Sequence, residues 1–116
     1  MRHNKSKKIL GRPANQRRML KKNLAMSFFE YEKIETTVAK AKYIKPVIEK
    51  IITVGKKDNL TSRRYIIKKI GSNKIATKIL KEISPKYIDR KGGYTRITKI
   101  GKRKGDGSET VYLTLV

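Results

Sequence analysis

The sequence predicts an α/β protein of the α+β type. It reads as a two-layer domain of about four helices packed on a small sheet with a C-terminal antiparallel hairpin, behind an extended basic N-terminal arm. Three observations predict this. Between residues 13 and 85 the apolar side chains recur at the helical period. From Tyr94 onward Tyr, Thr, Ile and Val take over and alternate, as strands do. The first twelve residues hold only Ile9 and Leu10 as large aliphatics, so they have no core of their own. Residues 1–12 are therefore read as an arm and residues 13–116 as a single globular domain.

The elements follow in order. Pro13 suits a first helical position, because its φ is preset and its missing N–H would have no partner there. Leu20, Leu24 and Phe28 then repeat at i, i+4 and i+8 as an apolar stripe. Arg17 with Lys21, and Arg18 with Lys22, form cationic rows beside it. Residues 33–36 read as a short strand. Thr36 or Thr37 can cap the next helix. Val38, Ala41, Ile44, Ile48, Ile51, Ile52 and Gly55 form its inner face, and Gly55 is a reasonable stop. Pro46 falls inside it and predicts a kink or a late start. Two shorter helices follow. Asn59 or Thr61 caps the first, Leu60, Ile66, Ile67 and Ile70 supply its apolar face, and Gly71 ends it. Ser72 caps the second, Ile75, Ala76, Ile79, Leu80 and Ile83 form its stripe, and Ser84-Pro85 closes it. The tail then reads as an antiparallel pair, Tyr94 to Ile100 and Thr110 to Val116, joined by a long basic loop with Gly101, Gly105 and Gly107. Two strands alone are marginal, so the pair must pack on the helices.

Charge narrows the function. The chain has 116 residues, 31 Lys and Arg, 9 Asp and Glu, and a net charge of +22. Self-repulsion at that density opposes a compact state unless an anion neutralises it. Leu, Ile, Val and Phe still supply 29 of the 116 residues, above the roughly 20% typical of disordered charged chains. The expectation is a folded basic domain with a polyanionic partner.

Other chemistries lack their residues. With no Cys there is no disulfide framework or thiolate metal site, and His3 is the one histidine. No apolar run approaches the roughly 18–20 residues of a membrane span. The acid-free start lacks the apolar region of a secretory signal, although it also fits an organellar transit peptide. Gly105-Asp106-Gly107 opens like a dinucleotide fingerprint, but no third glycine follows and a strand comes next, so it is read as turn chemistry. The carboxylates are scattered, with no pair spaced for shared acid–base work. Glu35 and Glu49 are read as surface ion-pair partners. No cofactor is expected, and no catalytic or metal site.

Two segments carry the signal. Residues 2–22 contain nine cations and no acid. Residues 90–104 contain seven, with no acid between Asp89 and Asp106. Ordinary solvated faces mix signs, and these do not. Arginine binds phosphate bidentately and stacks on bases, whereas lysine acts as a point charge. Gly92-Gly93 permits close approach of a phosphate, and Tyr94 follows directly, where packing into the core competes with stacking on a base. The candidate polyanion contacts, which the resemblance described next makes RNA contacts, are Arg2, His3, Lys5, Lys7, Lys8, Arg12, Arg17, Arg18, Lys21 and Lys22 in the first segment. In the second they are Arg90, Lys91, Gly92, Gly93, Tyr94, Thr95, Arg96, Lys102, Arg103 and Lys104.

The order of motifs adds a resemblance. Met1-Arg2-His3, Asn23-Leu24-Ala25, Thr36-Thr37 with Lys40-Ala41-Lys42, and Gly92-Gly93-Tyr94-Thr95-Arg96 occur in sequence. Together they resemble the bacterial large-subunit ribosomal protein family numbered seventeen, from the first residue to the last. Gln16 and Tyr31 depart from the family, in which many members have histidine at these positions. The resemblance implies a structural constituent of the large ribosomal subunit, not an enzyme, near the outer end of the nascent-chain exit tunnel. It implies large-subunit ribosomal RNA and neighbouring ribosomal proteins as partners, with no membrane and no small-molecule substrate. It implies a cytoplasmic, ribosome-bound location, with an organellar ribosome as the other setting. It also favours a retained arm over a cleaved transit peptide. The alternative is a double-stranded DNA-binding architectural protein, although no recognition helix, dimer signature or apolar wedge stands out. A membrane-surface helix over residues 13–29 ranks lower, because its narrow stripe is needed for the core.

Overall fold

The computed structural model describes residues 10–116. Helix α1 (Ala14–Tyr31) starts one residue after Pro13, which stands at its N-cap. Its inner face is Ala25, Phe28 and Phe29, all buried, with the two phenyl rings edge to face at 5.4 Å. Leu20 and Leu24 are half-buried, and Ala14, Asn15, Gln16, Arg18 and Met19 are exposed. The N-terminal half of α1 therefore contributes little to the core.

Strand β1 (Lys33–Thr37) leads into helix α2 (Val38–Gly55), and the Thr37 hydroxyl accepts from the Lys40 amide as expected of an N-cap. The helix runs through Pro46 without a late start, and Pro46 stands exposed on it. Ala41, Ile44, Ile48, Ile51 and Ile52 are fully buried, as the period predicts. Gly55 lies over Ser84, whose hydroxyl donates to the Ile52 carbonyl at 3.2 Å. A β-carbon at Gly55 would stand 2.4 Å from that hydroxyl oxygen. Here glycine is needed for close approach.

Helix α3 (Leu60–Ile70) is capped by Asn59 and ended by Gly71 at φ +80. Leu60 is 62% exposed, a correction to its place on the apolar face. At the first helical position it lies off the side that buries Ile66 and Ile70. Helix α4 (Asn73–Lys78) is capped by Ser72. It then widens into a π turn (Ile79–Ile83) and tightens into a 3-10 turn (Ser84–Tyr87). Ser84-Pro85 thus changes the helix type instead of closing it. Proline lacks an N–H, and it is tolerated where the first turn of a helical segment needs none. The wider turn keeps Ile79, Leu80 and Ile83 buried.

Strands β2 (Thr95–Lys102) and β3 (Glu109–Leu115) form the hairpin. The sheet is antiparallel in the order β1-β3-β2, so the last strand is central. Leu113 pairs with Ile34 on one side and Ile97 on the other. These three side chains join the helical isoleucines in one core. An irregularity between Lys99 and Gly101 leaves Ile100 45% exposed.

Candidate nucleic-acid interface

The first cationic group stands on α1. The arm contacts Arg2, His3, Lys5, Lys7 and Lys8 lie outside the described residues. Arg12 donates to the Leu10 carbonyl at 3.0 Å, and Arg18 donates to the Asn15 amide oxygen at 2.7 Å. Both acceptors are neutral, so each guanidinium is posed while its charge stays uncompensated. Arg17 is half-buried, and its Nε and Nη1 have no hydrogen-bond partner among the described residues. A buried charged donor without an acceptor is costly. The two rows of α1 also diverge. Lys21 lies 5.3 Å from the centre of the Tyr43 ring on α2, whereas Lys22 lies against Gly71 at the α3–α4 corner.

The polarity of α1 is unusual. A helix favours acids in its first turn and cations in its last. Helix α1 has neither. Arg17 and Arg18 lie near its positive end and Glu30 near its negative end. The folded chain alone gains nothing from that arrangement.

The second group surrounds residues 90–96, and α2 builds it. Tyr94 is 1% exposed. Its hydroxyl donates to the Arg90 carbonyl at 3.1 Å and accepts from Thr53 at 3.1 Å. The Lys56 ammonium, 4.7 Å from the ring centre, also donates to the Arg90 carbonyl. Burial pushes the Tyr94 phenol up, but the neighbouring Lys56 and Thr53 groups outweigh it and hold it below the ordinary tyrosine value. Thr95 is buried too and donates to the Glu49 carboxylate at 2.9 Å. Two expectations are corrected here. Tyr94 and Thr95 turn inward and anchor the loop, so their side chains are buried and not presented on the surface. Glu49 accepts from a threonine hydroxyl where a surface ion pair was expected.

What this anchoring presents outward is Arg90, Lys91, Gly93 and Arg96, all exposed, with Gly92 half-buried. Arg90 curls back to donate to the Gly92 carbonyl at 3.3 Å. Gly92 and Gly93 adopt φ +151 and +61, and nothing lies within 4 Å of where their β-carbons would be. The peptide surface there is bare and open.

The hairpin tip differs from its linear reading. Arg103 is engaged by Asp106, with Nε to Oδ1 at 3.2 Å and Nη2 to Oδ2 alongside. Asp106 also accepts from the Ser108 amide at 3.1 Å. The Arg103 guanidinium and the Ser108 amide hold the Asp106 carboxyl well below the usual carboxylate range. Lys102 stands opposite Glu109 in the β2–β3 register. The acid-free run is acid-free only along the chain, because the hairpin brings two acids back onto it. Arg103 is therefore charge-compensated within the hairpin, while Lys102 and Lys104 stay exposed. Sequence reasoning missed Lys56, Thr53 and Glu49 as supports for the loop. They lie about 40 residues away in the chain and carry no local signal.

No group of three or more metal-ligating side chains is assembled among the described residues, and no described helix is long and apolar enough to cross a membrane. The sequence model of the family described as ribosomal protein L17 matches residues 20–116. The chain belongs to the ribosomal protein L17 family. It is 46% identical over 116 residues to the large ribosomal subunit protein bL17 of Syntrophotalea carbinolica, covering all of this chain and 75% of that one. It is 47% identical over 107 residues to the bL17 of Clostridium acetobutylicum, covering 92% of this chain and 94% of the relative. It is also 47% identical over 107 residues to that of Thermoanaerobacter pseudethanolicus, with 92% and 96% covered. Family membership makes the chain a structural, non-enzymatic component of the large ribosomal subunit.

Proposed function

We propose that this chain binds large-subunit ribosomal RNA through its backbone phosphates, near the outer end of the nascent-chain exit tunnel and beside other large-subunit proteins. One observation carries the reading. Arg12, Arg18 and Arg90 are posed by neutral oxygens, and the buried Nε and Nη1 of half-buried Arg17 have no acceptor among the described residues. Phosphate oxygens fit that need, because guanidinium takes them bidentately and loses no competing ion pair. The reversed polarity of α1 points the same way, since an anionic partner turns an unfavourable placement into a favourable one.

Residues 1–12 serve as an arm that RNA neutralises, and residues 13–116 serve as the rigid body that sets its register. Lys21, Lys22, Lys91, Arg96, Lys102 and Lys104 add phosphate contacts, and Gly92-Gly93 offers bare peptide to the backbone. With about 6–10 phosphates engaged, affinity falls roughly 10³–10⁵-fold between 50 and 200 mM salt. Cosedimentation of the untagged chain with ribosomal subunits across a salt series tests this. Recovery only in free fractions at low salt overturns it. Equal competition by duplex DNA favours the architectural alternative.

A further inference from the structure

A third acid-free stretch lies between Asp58 and Glu82 and holds seven Lys and Arg. The fold places it on α3, α4 and the turn that follows. We propose that the exposed face of α3 and α4, centred on Arg63, Arg64, Lys68 and Lys74, binds the phosphate backbone of a second segment of ribosomal RNA. The protein then ties two RNA segments together instead of capping one. This rests on the RNA-binding reading above and names a further partner surface within it.

The helix dipole separates these cations. Lys68 and Lys69 stand in the last turn of α3, where positive charge is favourable without any ligand. Arg63 and Arg64 stand at the opposite end, where it is not, and the first turn holds no acid to offset them. Arg63 is then fixed in place. Its Nη2 donates to the Asn73 amide oxygen at 2.8 Å and to the Thr77 hydroxyl at 2.7 Å. Both acceptors are neutral, so α3 and α4 present a posed guanidinium with its charge intact, as on α1.

The face is continuous with the α1 interface. Lys22 crosses to the α3–α4 corner, where its Cε would lie 2.6 Å from a β-carbon on Gly71. The cleft between α1 and α4 extends the face with Lys74, Lys78 and Lys81 against Glu30 and Glu82, mixed in sign but net positive. A phosphodiester chain matches this arrangement, because it offers repeated acceptors to a posed guanidinium and to the exposed ammonium groups beside it.

The test is a triple variant, R64Q/K68Q/K74Q, which changes exposed side chains and spares the Arg63 bonds. Its binding to large-subunit ribosomal RNA is measured against salt, beside the parent chain. The slope of log affinity against log salt falls by about 2–3, at roughly 0.7–0.9 per lost contact. Should the triple variant unfold, K68Q and K74Q alone each lower the slope by about 0.7–0.9. An unchanged slope in a folded variant overturns the second interface. Unchanged RNA binding with failed entry into the subunit assigns the face to a protein neighbour, and overturns it as well. If the parent chain itself shows no salt dependence, the RNA-binding reading fails before this one is reached.

Discussion

The Tyr94 hydroxyl donates to the Arg90 carbonyl oxygen at 3.1 Å, joining the tyrosine beneath the loop to the cation at its start. Lys56 reaches the same carbonyl, and Thr53 reaches the same hydroxyl. A residue that linear reading sets among the candidate contacts is instead buried beneath the loop that presents Arg90 and Lys91. Tyr94→Phe removes the hydrogen bond and keeps the ring. The expected cost is about 1 kcal/mol of stability. RNA affinity falls while the salt slope stays the same, since no charge is lost. Thermal melting and a salt titration check the two halves.

Arg17 yields an effect of opposite signs. Its Nε and Nη1 have no partner among the described residues. Arg17→Met replaces those donors with an apolar side chain of similar length. The free protein becomes more stable by about 1 kcal/mol, while its affinity for ribosomal RNA drops. Urea denaturation and RNA binding on one preparation measure both. A destabilised free protein refutes the idea that Arg17 awaits an external acceptor.

Gly55 and Ser84 form a tight contact. Gly55→Ala sets a β-carbon 2.4 Å from the Ser84 hydroxyl oxygen, in a packed core that must shift. The expected destabilisation is about 1–3 kcal/mol. Adding Ser84→Ala relieves the clash, so the double variant is more stable than the sum of the single changes. Denaturant midpoints of the four proteins test the coupling.

The Arg103–Asp106 pair predicts a pH signature. Its folded-state depression means that any stabilisation is present above the ordinary carboxylate pKa and is lost as pH falls through the depressed folded value. The pair is fully exposed, so the effect on global stability is small. Carboxyl-carbon NMR shows Asp106 still ionised at a pH where a free aspartate is half protonated. Arg103→Gln moves its titration back toward that of a free aspartate.

Much of the fold is legible locally. Thr37, Asn59 and Ser72 all act as the caps their chemistry suggests, because a side-chain oxygen needs only the next three residues to meet a free amide. The isoleucine period of α2 is legible for the same reason. Leu60 and the segment after Lys78 are less so. Which side of a short helix is buried, and how it bends past Ser84-Pro85, depends on what it packs against. The candidate site divides likewise. Arg18, Lys91 and Arg96 are exposed as their position suggests. Tyr94 and Arg103 are not free, because their partners come from α2 and from the returning side of the hairpin.

By itself the sequence determined the helices and strands, their caps, the apolar positions that make the core, and a net charge of +22 that points to an anionic partner. Its motif order also determined the family. These are properties of neighbouring residues, read through the fixed periods of helix and strand. Tertiary structure alone decided that β3 is central, that Tyr94 and Thr95 face α2, and that Asp106 and Glu109 return onto a basic run. It also set Lys22 over Gly71, joining α1 to the α3–α4 face. The physical reason is pairing. The side of a strand that is buried depends on segments tens of residues away brought close by a shared apolar core, and whether Lys102 and Arg103 stay uncompensated depends on how the hairpin folds back on itself.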